Sequence, residues 1–133
     1  MAKQKSIRLV VITPERQMLD ESVDGVVIPA HDGQIGIEYD RAPLMCELGI
    51  GRLHYRQGGR EHSLFVDGGF AQVLANTVVV LTSSAARPAE ITQEQIASLE
   101  RSAARTTGTT LAAFDERQRS RRRVAALRAV KAG

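Results

Sequence analysis

The sequence predicts an antiparallel β-sandwich or barrel followed by two α-helices that pack together as a hairpin. Three observations support this expectation. Short apolar segments with a period of two fill most of the first 86 residues. Turn signals such as Asp24-Gly25 and Asp32-Gly33 separate them at short intervals, with no helical run in between. After Pro88, apolar residues instead recur every three or four positions, which is the spacing of an amphipathic helix.

The strand segments include one clear hairpin and one predicted corner. In "SIRLVVIT" the residues alternate between two faces, of which only one is fully apolar. The segment "GRLHYRQGGREHSLFV" predicts a hairpin that turns at Gly58-Gly59 and places Tyr55 opposite His62. Gly68-Gly69 indicates a bulge or corner where two backbones approach closely.

The first helix has a start signal and an apolar stripe. Thr92 and Gln95 have the spacing of a capping box, in which each side chain bonds the backbone N–H of the other residue. Ile96 and Leu99 begin a stripe on one helix face. We expect this helix to end near Arg105, before the turn "TTGTT".

The second helix is expected to run from about Thr110 to Val130. Leu111 and Phe114 begin an apolar stripe, but residues 115–123 contain no apolar side chain. Its residues are nevertheless good helix formers. We therefore expect a helix that is docked at its two ends and held only weakly to the rest of the protein.

Charge also divides the chain into two parts, which we place at 1–87 (sandwich) and 88–133 (helical hairpin). Residues 1–86 carry 8 Lys/Arg and 10 Asp/Glu, whereas residues 87–133 carry 10 Lys/Arg and 5 Asp/Glu. Cys46 is the only cysteine, which excludes an internal disulfide and a cysteine-based metal cage. We find no signal-peptide pattern and no apolar run of membrane-spanning length, so we expect an intracellular, soluble protein.

The enzyme hypothesis has little support in the sequence. His31-Asp32 is an isolated dyad at a turn, and Asp before Gly33 is explained by turn geometry. His54 and His62 are offset on the predicted hairpin and point to opposite faces, which disfavours a metal pair. There is no metal-spaced cluster and no nucleotide-binding glycine motif, so we expect no catalytic residue, no metal and no cofactor.

Nucleic-acid binding is the alternative function. "GQIG" matches the two-glycine loop of a KH domain, and "RQRSRRR" is a basic run that could neutralise phosphates. However, the glycines lie among predicted strands rather than between helices, and the few aromatic residues are scattered. A small β-domain with a basic tail that binds RNA or DNA therefore remains the second choice.

The order and spacing of three motifs are more specific. "DGQIGI…APLM", "VDGGFAQV" and "TVVVLTSSAARPAEI", ahead of a helical hairpin, resemble the epsilon subunit of bacterial F-type ATP synthase over residues 6 to about 104. The resemblance implies an N-terminal ten-stranded antiparallel β-sandwich followed by a C-terminal two-helix hairpin. It also implies a non-catalytic central-stalk subunit that is not a homo-oligomer and inserts no segment into the membrane.

The resemblance further implies partners and a location. The gamma subunit would grip one side, the c-ring would contact one end, and the C-terminal helices would reach the alpha and beta subunits. The complex would lie at the cytoplasmic face of the inner (plasma) membrane, with no nucleic acid among its partners.

Carried over position by position, the resemblance places the c-ring contact on nine residues: His31, Asp32, Gly33, Gln34, Gly36, Asp40, Arg41, Ala42 and Pro43. The sequence departs from the family pattern within this region. Glu38-Tyr39 replaces an apolar or aromatic residue and Pro, and Arg41 replaces His. The missing proline should loosen or redirect the loop, and the arginine supplies a permanent charge.

Two regulatory expectations follow from the resemblance. Many bacterial members bind ATP through an Ile-Asp-x-x-Arg-Ala motif, but here Thr92 and Gln95 replace the Asp and the Arg, so we expect no ATP site. The family's hairpin often extends and inhibits ATP hydrolysis. We expect the basic residues of the second helix to stabilise that extended state, namely Arg119, Arg121, Arg122 and Arg123.

Overall fold

The structure is a computed structural model that describes residues 5–132. Residues 1–4 of the predicted sandwich domain and residue 133 of the predicted helical domain lie outside the described residues. The strands are β1 (Ile7–Ile12), β2 (Gln17–Val23), β3 (Gly25–Ala30), β4 (Gly33–Ile37), β5 (Leu44–Gln57), β6 (Arg60–Leu74), β7 (Thr77–Leu81) and β8 (Ala85–Ala86). A short 3₁₀ turn, Pro88–Glu90, leads to the helices α1 (Gln93–Arg105) and α2 (Leu111–Ala132).

The strand count and the pairing correct the predicted ten-stranded antiparallel sandwich. The described residues form 8 strands in the order β2-β1-β7-β6-β5-β3-β4, with β8 beside β6. The count is lower because β5 and β6 continue unbroken through both layers, with 14 and 15 residues. One pair, β1 with β7, is parallel, because the intervening chain crosses over and brings β7 back in the direction of β1.

The long β5–β6 hairpin connects the two layers of the sandwich. Its ladder runs from Leu44 opposite Val73 to Gln57 opposite Arg60, and Tyr55 lies opposite His62 as predicted. One layer combines the C-terminal half of β5 with β3 and β4, and the other combines the C-terminal half of β6 with β7, β1 and β2. The main core fills the space between them and is made mostly of Ile, Leu and Val.

The predicted close approach at Gly68-Gly69 is confirmed. Both residues have positive φ, at 69° and 106°. A Cβ atom on Gly69 would lie 1.9 Å from the carbonyl oxygen of Leu81. Only glycine therefore allows β6 to pass this close to the end of β7 where the strand moves from one layer to the other.

The first helix begins as the sequence predicts. The Thr92 hydroxyl accepts a hydrogen bond from the Gln95 backbone N–H at 3.1 Å, and the Gln95 side chain accepts one from the Thr92 N–H at 3.0 Å. This capping box satisfies two backbone donors that the first turn leaves unpaired. The helix ends at Arg105, as expected.

The second helix docks differently from the prediction. Leu111 and Phe114 at its start are exposed, at 76% and 49%, so the expectation that both ends dock is wrong for the first end. The C-terminal half packs instead, with Val124, Leu127 and Val130 buried. The physical reason is that the polar residues 115–119 interrupt the apolar stripe, so the side chains that can be buried together lie in the C-terminal half.

The docked half of α2 completes a second apolar cluster on the outer side of the β5–β6 hairpin. Its buried members are Phe65, Ile91, Ile96, Val124, Ala126, Leu127 and Val130. Ile96 of α1 belongs to this cluster, so the first helix is held through the same apolar contacts as the second. The hairpin therefore covers one outer face of the sandwich.

We predict that Gly69→Ala lowers the free energy of unfolding by at least about 2 kcal/mol, because the substitution adds a backbone clash to an unfavourable positive φ. Urea denaturation followed by circular dichroism measures the change. Gly36→Ala is the control, since a Cβ there meets nothing within 4 Å and Gly36 has no positive φ. Equal stability of both variants would contradict the role given to Gly69.

Candidate functional site

The first group of predicted ring-facing residues surrounds the turn between β3 and β4. His31 and Asp32 form this two-residue turn, and Gly33 begins β4. The His31 backbone N–H donates to the Glu47 carbonyl at 3.0 Å, which fixes the turn to β5. His31 through Gln34 and Gly36 are all exposed, so this turn and the edge strand that follows present polar side chains to solvent.

The second group lies in the loop between β4 and β5. Asp40 has a φ of 68°, and its backbone N–H donates to the Asn76 side-chain oxygen at 2.6 Å. Glu38 pairs with Arg56 at 3.1 Å, with both side chains exposed. These two contacts attach the loop to the β6–β7 turn and to β5. Arg41, Ala42 and Pro43 continue it as an exposed segment.

The two groups lie at opposite ends of β4. His31 and Asp32 precede β4, whereas the loop with Asp40 to Pro43 follows it. The five residues of β4 correspond to about 17 Å along the strand. The loop lies beside the β6–β7 turn through the bond to Asn76, while the β3–β4 turn lies beside Glu47 in the first third of β5.

Sequence reasoning missed an uncovered apolar surface on the outside of the β1–β7 layer. Its members are the large exposed side chains Met45, Phe70, Leu74 and Leu81, which we call the outer apolar face. Phe70 lies directly opposite Leu81, and Gln72 connects the row to Met45. The sequence signal for this surface is the strand "TVVVL", which carries apolar residues on both of its faces.

The outer apolar face lies on the side opposite to the helices. Phe65 points outward from the layer that the helices cover, whereas Phe70 points outward from the other layer, past the bend at Gly68-Gly69. Side chains directly opposite each other on paired strands lie about 5 Å apart, so Phe70 and Leu81 form one continuous surface. Exposed apolar patches of this kind mark interaction sites in soluble proteins.

A groove of about 570 Å³ separates the start of α1 from the sandwich. Asp67, Glu94 and Gln95 line it, together with Arg123 of α2. Arg123 Nε donates to Asp67 Oδ2 at 2.9 Å, so this guanidinium is already paired with a carboxylate. The groove thus places two acidic side chains where an anionic ligand would need cationic ones.

The four basic residues of the second helix are used in different ways. Arg119 pairs with Glu116 at 2.9 Å, and this hydrogen bond holds the pKa of the Glu116 carboxyl below its usual value. Arg121 and Arg122 are exposed. Arg123 is half-buried against Asp67. The structure therefore brings three of the four to the surface and places the fourth in the contact with the sandwich.

The segment before α1 is fixed to the sandwich by polar contacts. Arg16 donates to Glu90 at 2.6 Å, and the Arg87 guanidinium donates to the Met18 carbonyl. The pKa of Glu90 is lowered, first by the hydrogen bond from the Arg87 backbone N–H and then by the Arg16 side chain. Lys131, near the end of α2, donates to the Ile91 carbonyl at 3.0 Å.

His54, His62 and Cys46 of the described chain are engaged in separate local contacts. Residues 5–132 contain no group of three or more His, Cys, Asp or Glu that could hold a metal ion. His54 pairs with Glu61 at 2.6 Å, while His62 stacks on Tyr55, so the two histidines are separated as predicted. Burial raises the pKa of the Cys46 thiol, which opposes a nucleophilic role.

Two of the features that suggested nucleic-acid binding, the glycine motif and the aromatic residues, are not arranged as in a nucleic-acid site. "GQIG" lies on the edge strand β4 and not between two helices, as a KH loop does. Tyr39 and Phe70 are exposed on separate segments, and Tyr55 is buried in the core.

Among the described residues, no helix combines the length and the apolar composition that a membrane crossing requires.

Comparison with known proteins gives a consistent assignment. The family model described as ATP synthase, delta/epsilon chain, β-sandwich domain matches residues 6–88. The ATP synthase epsilon chain of Nitratidesulfovibrio vulgaris (strain DSM 19637 / Miyazaki F) is 44% identical over 92 residues, which are 69% of this chain and 69% of the relative. That of Rhodopirellula baltica is 48% identical over 80 residues, 60% of this chain and 62% of the relative.

Solved structures show the same fold. A chain from the cryo-EM structure of the Euglena gracilis mitochondrial ATP synthase (OSCP, F1 and c-ring) superimposes with a TM-score of 0.81 and 23% identity, covering 97% of this chain and 83% of that one. A chain of the Tetrahymena thermophila central stalk and c-ring gives 0.73 and 17%, covering 98% and 99%. Because the family model matches more than half of the chain, the chain belongs to the delta/epsilon family of ATP synthase subunits, and it is similar in sequence to bacterial epsilon chains.

Proposed function

We propose that this chain is the epsilon subunit of an F-type ATP synthase, a non-catalytic part of the central stalk. Family membership and the kinship with bacterial epsilon chains support this role. The observation that carries it in the structure is the outer apolar face, a surface of the sandwich that the chain leaves uncovered. The described residues offer contact surfaces and no arrangement of catalytic groups.

The outer apolar face is the proposed contact for the gamma subunit. Phe70 and Leu81 lie at its centre, and Met45 and Leu74 extend it. Burial of exposed aromatic and aliphatic side chains is the usual source of binding energy in a stable protein interface. The helices occupy the other face of the sandwich, so gamma and the docked hairpin do not compete for one surface.

We predict that Phe70→Lys weakens binding to gamma at least about tenfold, because it replaces a large apolar side chain at the centre of the contact with a charge. The cross-strand partner of Phe70 is Glu47, which favours the lysine and preserves the fold. The affinity is measured by titrating each variant over gamma subunit immobilised on a surface. Leu111→Lys, an exposed apolar residue outside this face, is the matched control, and an equal loss in both variants would contradict the assignment.

The c-ring contact is proposed for the nine residues of the two groups, with a division of roles. The polar turn from His31 to Gln34, together with Gly36, supplies the end surface for the ring. Asp40, Arg41, Ala42 and Pro43 lie beyond β4, and Pro43 borders the outer apolar face at Met45 and Leu74. This second group therefore extends the gamma contact toward the ring. A complex assembled in this way is peripheral, at the cytoplasmic face of the inner membrane.

The helical hairpin is the proposed regulator, which reaches the alpha and beta subunits when it extends. Exposed Arg119, Arg121 and Arg122 supply cationic charge to such a contact, and only the C-terminal half of α2 is buried in the docked form. Attraction between exposed charges weakens with salt, so the inhibited state should be salt-sensitive.

We predict that a chain ending at Glu90 raises ATP hydrolysis by the assembled enzyme and leaves assembly intact. The truncation removes both helices but retains the sandwich, with its outer apolar face and the Arg16–Glu90 pair. Steady-state ATPase assays and gel filtration of the reconstituted complex measure the two properties. If the correctly assembled complex with the truncated chain hydrolyses ATP at the same rate as the full-length complex, the proposal that the hairpin inhibits hydrolysis is refuted.

ATP binding to the isolated chain is not expected. Thr92 and Gln95 bond each other in the capping box, and the adjacent groove is lined by Asp67 and Glu94, with Arg123 already paired. A nucleotide phosphate would therefore meet carboxylates and no uncommitted motif arginine. We predict no saturable heat when ATP is titrated into the protein by calorimetry, and a micromolar isotherm would refute this.

A further inference from the structure

One ion pair joins the second helix to the sandwich, and its side chains are among the least exposed of the ion pairs in the described residues. Arg123 Nε donates to Asp67 Oδ2 at 2.9 Å, and the two side chains are 27% and 17% exposed. The other carboxylate near Arg123 is that of Glu116 on the same helix, at 4.0 Å. Arg123 therefore lies closest to a charge on the sandwich.

Asp67 is a rigid partner. Its backbone N–H donates to the Thr82 hydroxyl at 3.0 Å, and its carbonyl accepts from the Ser83 hydroxyl at 2.7 Å. It immediately precedes the bend at Gly68-Gly69, where β6 changes layer. The carboxylate is thus held in place by the same backbone contacts that shape the sandwich.

Apart from the Lys131 bond to the Ile91 carbonyl and the Arg128–Glu100 pair with α1, the docking is apolar and confined to one half of the helix. Val124, Leu127 and Val130 are buried beside Arg123, whereas Leu111 and Phe114 are exposed. Ile96 of α1 packs into the same apolar cluster. Loss of the α2 contacts would consequently release both helices.

We propose that the Arg123–Asp67 pair is a latch that holds the hairpin in its docked state and so opposes the inhibition of ATP hydrolysis. The regulatory consequence rests on the braking role proposed above. The latch gives Arg123 a role different from that of Arg121 and Arg122. Those two side chains are exposed in the docked state and are available for contacts in the extended state. Removal of one member of a half-buried pair leaves the other charge poorly solvated, whereas exposed pairs contribute little.

Hydrogen–deuterium exchange on the isolated full-length chain tests the latch directly. We expect Arg123→Gln to accelerate exchange of the amides of residues 124–130 at least tenfold. Arg121→Gln, the matched control on the same helix, should change these rates less than twofold. Unchanged amides in β1 and β7 establish that the sandwich is folded in both variants. Equal rates for the two variants would overturn the proposal.

A double-mutant cycle identifies the partner. Asp67→Asn should also accelerate exchange. In the double variant, the fold-acceleration should be smaller than the product of the two single fold-accelerations, because neither charge is then left without its partner. Effects that simply multiply would show that the two residues are not coupled, which also overturns the latch.

The assembled enzyme distinguishes the latch from the brake. Arg123→Gln should lower ATP hydrolysis by releasing the hairpin, whereas Arg121→Gln should raise it by weakening the extended state. Faster exchange in the isolated Arg123→Gln chain with unaltered hydrolysis would support the latch and reject the brake. If both substitutions raise hydrolysis, Arg123 acts in the extended state and the latch is rejected.

Discussion

The ladder between β5 and β6 is the interaction on which the rest of the structure depends. These two strands pair from Leu44 and Val73 at one end to Gln57 and Arg60 at the other, and they belong to both layers. The close passage of Gly69 beside the Leu81 carbonyl lets β6 turn from one layer into the next. Because every other described strand attaches to this hairpin directly or through one or two neighbours, the core between the layers exists only when the bend is formed.

The bend also decides which surfaces are left for partners. On one side of it the outward residues of β6 meet the helices, with Phe65 in the second apolar cluster. On the other side they form the outer apolar face. The two faces differ in character, since the helix-covered face combines buried aliphatic contacts with a half-buried ion pair, whereas the uncovered face is apolar. A permanent partner on the apolar face and a reversible helical cover on the other are consistent with these chemistries.

Local features were predictable from the sequence because they depend on few residues. The Gly58-Gly59 loop determines the register of its hairpin, and the spacing of Thr92 and Gln95 determines the capping box. Non-local features were not predictable in this way. The parallel β1–β7 pair joins segments about seventy residues apart, and the continuity of β5 across both layers has no local signal. The resemblance implied ten strands, whereas the described residues form 8, because β5 and β6 are continuous through both layers.

The candidate site shows the same division. The nine residues proposed to face the ring were identified from a resemblance along the chain, but their placement at the two ends of β4 is a property of the folded sheet. The number of basic residues on the second helix is visible in sequence, whereas the pairing of Arg123 with Asp67 requires two segments that are distant in the chain. The outer apolar face had a sequence signal in β7, since both faces of that strand are apolar.

The unbroken course of β5 and β6 has a mechanical consequence. If the β3–β4 turn contacts the ring and the outer apolar face contacts gamma, as proposed, a torque between them would load these strands along their length, so that the cross-strand hydrogen bonds of both layers share the shear. A sandwich built from separate short strands would instead transmit the same load through loops, which are compliant. The long hairpin therefore makes the domain stiff in the direction in which a rotor would strain it, and the glycine bend at its middle is the point at which elastic deformation would concentrate.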